Sequence, residues 1–157
     1  MRVPRRILVP TDLSSFSLEA MEYADQIAKL FNGEIIIFHA LPPVHDHSGT
    51  EQEDEFEARK AIIHLLMERN IVPQNLKLEL GFGTPVEAIV VAALQLRADI
   101  IVMSTHGRTG VPHALLGSVT EQVVRLSSAP VLTIKPEGFN DLPGVREEDV
   151  KANLHLN

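Results

Sequence analysis

The chain has 157 residues, 45% of them hydrophobic, with 14 Lys/Arg against 21 Asp/Glu for a formal net charge of −7. That length suits one domain able to bury roughly two-thirds of its unfolded surface. The lack of cysteine excludes disulfides, zinc–thiolate and iron–sulfur centres and any cysteine nucleophile, and the acidic balance argues against a nucleic-acid partner.

The longest unbroken apolar run, residues 88–94, is too short to span a bilayer. The basic start is followed only by Ile7-Leu8-Val9 before Pro10, so no secretory leader is expected. The expectation is a cytoplasmic protein without a membrane partner.

In chain order, Ile7-Leu8-Val9-Pro10 reads as a short buried strand. From residue 14 or 15 to residue 32, Phe16, Ala20, Ala24, Ile27, Ala28 and Phe31 recur at helical spacing, and Asn32-Gly33 supplies a left-handed stop. The β-branched run from Glu34 to His39 suits a strand covered on both faces. After a loop, an acidic helix begins at Thr50, with Phe56, Ile63 and Leu66, and Ile62 and Met67 beside them, expected to form its inner face.

Leu76, Leu78 and Leu80 alternate with Lys77 and Glu79, which predicts a strand with one wetter face, at the sheet edge. Thr84-Pro85-Val86-Glu87 combines an N-cap, a proline at the first helical position and a capping glutamate; the helix it opens runs to about residue 96. A buried strand at 99–103, a helix from Gly117-Ser118 to Leu126 and a last strand at 130–134 complete the pattern. Alternation of strand and helix argues for a parallel sheet with helices on both faces, an α/β fold. Periodicity ends near residue 135, so residues 1–135 read as the domain and 136–157 as a C-terminal tail.

Ligands of such sheets sit beyond the carboxyl ends of the strands, where strand order reverses. Two strand ends are rich in small polar residues: Pro10-Thr11-Asp12-Leu13-Ser14-Ser15, and Ser104-Thr105-His106-Gly107-Arg108-Thr109-Gly110 continuing to Leu116-Gly117-Ser118. Residues 104–118 contain no acid, and glycines before a helix N-terminus suit a phosphate. Neither a Walker A loop nor a Gly-x-Gly-x-x-Gly fingerprint is present. The same glycines also serve as ordinary turn residues, and Ser118 as a simple cap with Glu121 three positions on.

The run from Met103 to Gly110, then Leu115-Leu116-Gly117-Ser118-Val119-Thr120 and Ala129-Pro130-Val131-Leu132, closely resembles the universal stress protein family. Ile7-Leu8-Val9-Pro10-Thr11-Asp12 and His39 match the same family, so the resemblance covers roughly residues 4–135. It implies a three-layer sandwich with a five-stranded parallel sheet, order 3-2-1-4-5, and a homodimer through the last strand, Val131 to Ile134. It also implies ATP, with Mg²⁺, as ligand. The ATP-binding branch carries Gly-x-x-Gly, nine residues, then Gly-[Ser/Thr]; here Gly107, Arg108 to Leu116 and Gly117-Ser118 fit, while Ser104 stands at the first glycine. By the resemblance, Gly107, Gly117, Ser118, Val119 and Thr120 cradle phosphates. Pro10, Thr11, Asp12 and Ala40 line the adenosine part, and Met103 and Ser104 lie beneath the ribose and phosphates. His106 and Arg108 join the phosphate loop, with loop packing the alternative for His106.

Other candidates read more plainly. Asp12, Ser14 and His39 lack a Gly-x-Ser-x-Gly elbow, so a hydrolytic triad is not expected. His45-Asp46-His47 has no third metal ligand in the pattern. The acids of residues 51–57 suit a helix N-terminal turn, or a docking surface. Residues 44–57 hold six acids and no base, and residues 136–157 hold five acids against two bases, so the acidity lies away from the phosphate loop. The expected function is an ATP-dependent stress-response switch or sensor, at most a slow ATPase. The alternative is a dimeric stress protein that binds no nucleotide and acts through protein contacts; AMP or a cyclic nucleotide is a further ligand choice.

Overall fold

The computed structural model describes residues 3–43, 50–71, 73–106 and 118–135. Strands β1 (Arg6–Pro10), β2 (Glu34–Leu41), β3 (Leu76–Phe82), β4 (Ile100–Ser104) and β5 (Val131–Ile134) alternate with helices α1 (Ser15–Phe31), α2 (Glu51–Glu68), α3 (Pro85–Gln95) and α4 (Ser118–Leu126). All the pairings are parallel and the sheet order is β3-β2-β1-β4-β5, the architecture anticipated above.

Period-two alternation along the strands splits the interior into two cores. Ile7, Val9, Ile35 and Ile37 face α1 and α2, where Leu18, Met21, Ile62 and Leu66 are buried. Leu8, Ile36, Phe38, Ile101 and Met103 face α3 and α4, where Ile89, Ala92, Ala93 and Val123 close the other side. The chain thus builds outward from β1 to β3 on one face, crosses back, and builds β4 and β5 on the other.

The helix ends follow their local chemistry. Ser14 caps α1, its hydroxyl accepting from the Ser17 N–H, and Asn32 ends it in the left-handed region at φ 50°. Thr50 and Glu53 form a reciprocal capping box at α2. The backbone N–H of Thr50, then its hydroxyl, hold the Glu53 carboxyl below the usual carboxylate range. At α3 the Thr84 hydroxyl instead donates to the Glu87 carboxylate, 2.7 Å away, beside Pro85 in the first turn. Arg97, just past α3, is left-handed at φ 52° while the Ala98 N–H reaches back to the Ala93 carbonyl.

Two helix faces differ from the expectation. In α2 the inner residues are Ala58, Ile62 and Leu66, whereas Phe56, Ile63 and Met67 are 65%, 48% and 72% exposed. In α1, Leu18 and Met21 are buried and Phe31 is exposed. Small alanines mark the side closest to the sheet in both helices, because a helix lies nearest its sheet where side chains are short. β3 is an edge strand, with Leu76, Leu78 and Leu80 against the first core and exposed Lys77 ion-paired to Glu34 at 3.1 Å.

β1 and β4 pair at only two positions, Ile7↔Ile100 and Leu8↔Ile101, whereas β1 pairs with β2 through Pro10↔Phe38. Below that short seam the Asp99 carboxylate accepts from the backbone N–H groups of Arg5 and Arg6 at 3.0 and 2.9 Å. No helix among the described residues is long and apolar enough to cross a membrane. His45, Asp46 and His47, the loop residues Gly107, Arg108 and Gly117, and the tail 136–157 lie outside the described residues.

Candidate functional site

Strand order reverses at β1, flanked by β2 and β4, and a cleft of about 360 Å³ opens beyond the carboxyl ends of these strands. That volume falls within the range of small-molecule sites. Of the residues singled out from the sequence, Pro10, Thr11, Asp12, Ala40, Met103, Ser104, His106, Ser118, Val119 and Thr120 all line it.

The β1 side is held by a relay of hydroxyls. The Thr11 N–H donates to the Phe38 carbonyl at 2.8 Å, and the Thr11 hydroxyl accepts from the Leu13 N–H at 3.0 Å. The Ser17 hydroxyl donates to the Ser14 carbonyl, so the single hydrogen of Thr11 points to the Ser17 oxygen, 2.8 Å away. Leu13 sits in the left-handed region at φ 63° and packs its side chain onto the first core, so this turn carries backbone strain of roughly 1 kcal/mol.

Asp12 accepts at Oδ1 from both the N–H and the hydroxyl of Ser14, which makes it a helix-entry residue as well as a cleft residue. His39 places Nδ1 2.7 Å from the Thr11 carbonyl; a carbonyl only accepts, so the ring proton is on Nδ1. Ser14 is bonded to Asp12 and His39 to backbone, so no Ser–His–Asp relay is assembled.

On the β4 side, Ser104, Thr105 and His106 are buried. The Ser104 hydroxyl accepts from the His106 N–H at 3.2 Å, and the Thr105 hydroxyl lies 2.8 Å from His106 Nδ1. Thr120 is buried and donates its hydroxyl to the Ser104 carbonyl at 2.8 Å, tying the first turn of α4 to β4. Ser118 at the α4 N-terminus is exposed. His106 is thus anchored to its neighbours Ser104 and Thr105 and lines the cleft.

The cleft has both apolar and polar lining. Phe38, Ala40, Pro85, Ile89 and Met103 supply an apolar part; Ser104, His106, Ser118 and Thr120 supply a polar part at the α4 N-terminus. Helix N-termini carry unpaired N–H groups and partial positive charge. Asp12 is the one acidic residue lining the cleft among the described residues. No group of three or more His, Asp or Glu among the described residues is placed to hold a metal ion.

Sequence reading missed Ser17, Phe38, Pro85 and Ile89 as lining residues, and named His39 without placing it in the site. Phe38 carried a usable signal, since it lies two positions before Ala40 and shares its face of β2. Pro85 and Ile89 reach the cleft only because α3 crosses back over the sheet, which no local pattern encodes.

Comparison with known proteins bears on this geometry. Residues 4–135 match the model of the universal stress protein family. Universal stress protein MJ0531 of Methanocaldococcus jannaschii is 36% identical over 142 residues, covering 83% of this chain and 82% of the relative. The solved structure of the hypothetical protein MJ0577, from the same organism, is 31% identical with a TM-score of 0.72, over 87% of this chain and 99% of that one. A universal stress protein solved in complex with cAMP is 28% identical with a TM-score of 0.68, over 85% of this chain and 98% of the other.

Proposed function

The chain belongs to the universal stress protein family, and from that premise we propose that it binds an adenine nucleotide, ATP with Mg²⁺, in the cleft between β1 and β4. It works there as a nucleotide-dependent switch or sensor of the stress response, in the cytoplasm and as a homodimer. The mixed lining carries this reading: apolar side chains suited to a base share the cleft with a helix N-terminus suited to phosphates. The relative solved with cAMP supports an adenine nucleotide as the ligand class.

Magnesium holds water tightly and is commonly bound through one or two carboxylates plus substrate phosphates. The ion would therefore arrive on the nucleotide, and Asp12 is the carboxylate among the described lining residues. Gly107, Arg108 and Gly117 belong to the proposal by the family pattern. His106 is buried with Nδ1 beside the Thr105 hydroxyl; any hydrolysis is expected to be slow.

Calorimetric titration with Mg·ATP, ADP and cAMP tests the reading; saturable binding is expected, and no binding at millimolar nucleotide overturns it. The alternative, a dimeric stress protein acting through protein contacts alone, has Ser104 in its favour, since a side chain stands on the cleft floor where the ATP-binding pattern has glycine. Ultraviolet absorbance of small molecules released on denaturation separates the two, unobscured because the chain has no tryptophan.

A further inference from the structure

A second cavity of about 310 Å³ lies between the carboxyl end of β3 and helix α3. Among the described residues, Phe38 is the one that lines both it and the cleft. The Phe38 ring is 4% exposed and packed under α3 with Ile89 and Ala92, so it stands as a partition between two hollows.

What lets the ring stand there is a missing side chain. In the β2–β3 register Phe38 faces Glu79 and Ala40 faces Gly81, which makes Gly81 the diagonal neighbour of Phe38 on the same sheet face. A Cβ on Gly81 would fall 2.8 Å from Phe38 Cζ and 3.1 Å from Cε2. Any side chain at position 81 would drive the ring off β3 and toward the cleft.

We propose that Phe38, seated by Gly81, is the specificity-determining wall of the cleft: it limits the ligand to an unsubstituted base and shuts off a hollow that would otherwise take an apolar substituent on that base. The proposal rests on the nucleotide reading for the ligand's orientation, with phosphates toward α4 and the base toward Phe38. The hollow behind the wall offers Ala88 and Val91 of α3, while exposed Glu87 disfavours an anionic group. An uncharged aromatic or alkyl group is therefore the substituent it fits.

Calorimetry with ATP and with ATP carrying a benzyl group on the exocyclic amine tests this on the full chain. The wild type should prefer ATP by about tenfold or more, the discrimination a few misplaced carbons produce in a closed pocket. Phe38→Ala should erase or invert that preference, and Phe38→Leu, a milder truncation, should narrow it even if the alanine variant does not fold. Gly81→Ala should weaken ATP several-fold, and adding Phe38→Leu to it should restore binding, a rescue that general destabilisation does not produce. An unchanged preference in both Phe38 variants, or wild-type affinity for ATP in Gly81→Ala, overturns the proposal.

If the wild type binds neither nucleotide, the function proposed above fails, and the wall is read instead with indole. Binding to Phe38→Leu but not to the wild type supports the wall. Equal behaviour of the two proteins toward indole overturns it.

Discussion

Ser104 shows how one side chain can be both structural and obstructive. Its hydroxyl accepts from the His106 N–H while its β-carbon lies at the floor of the cleft. Ser104→Gly removes the obstruction and releases the His106 N–H to a ligand, at the cost of a looser loop. We expect nucleotide affinity to rise a few-fold on calorimetric titration; equal affinity in variant and wild type would place the ligand away from Ser104. Arg97 is a second residue whose backbone conformation matters more than its chemistry. It occupies the left-handed position after α3 that glycine adopts freely. Arg97→Gly is expected to raise unfolding stability by about 0.5–1 kcal/mol in urea, the steric relief of roughly 1–2 kcal/mol offset by the entropy of a freer unfolded chain. At this scale the sequence was most informative where a residue's role is local: Asn32 at a helix end, Thr50 at a helix start, Pro85 in a first turn. Asp12 combines two duties in one side chain, bonding the N-cap residue Ser14 and lining the cleft.

At the level of elements, every strand and helix was readable from periodicity and end chemistry, and strand β3 was correctly read as an edge from the alternation of leucine with charge. The inner face of α2 was only half right: Ile62 and Leu66 are buried as expected. Phe56, Ile63 and Met67 outweigh Ala58 in hydrophobicity, yet Ala58 is buried and they are not; contact distance to the sheet, not side-chain size, decides the inner face. The other edge, β5, raises the question of its partner. The carbonyls of Pro130 and Ile134 accept from Ile101 and Thr105 in and beside β4, so by alternation Val131 and Thr133 turn their backbone groups outward. Leu132 is 36% exposed on the same strand. An edge of this kind invites pairing with a second copy. Thr133→Pro removes one outward N–H without touching the β4 ladder. If the proposed homodimer forms through β5, this variant should sediment as a monomer with its helix content retained; an unchanged dimer would move the interface elsewhere.

For the molecule as a whole, the alternating pattern implied a parallel sheet, but the order β3-β2-β1-β4-β5 came from family resemblance, because periodicity does not state which strands become neighbours. The same gap explains why the far wall of the cleft was unread: Phe38, Pro85 and Ile89 come together only through the crossover from β3 to β4. The two register pairs between β1 and β4 have a mechanical meaning. They separate a leaf carrying the β3 edge from one carrying the β5 edge, although both cores run across the seam. A molecule seated in the cleft touches both leaves at once, through Thr11 and Ala40 on one and Met103, Ser104 and Val119 on the other. It would bridge the seam, so that occupancy is felt as rigidity one strand further on, at the β5 margin.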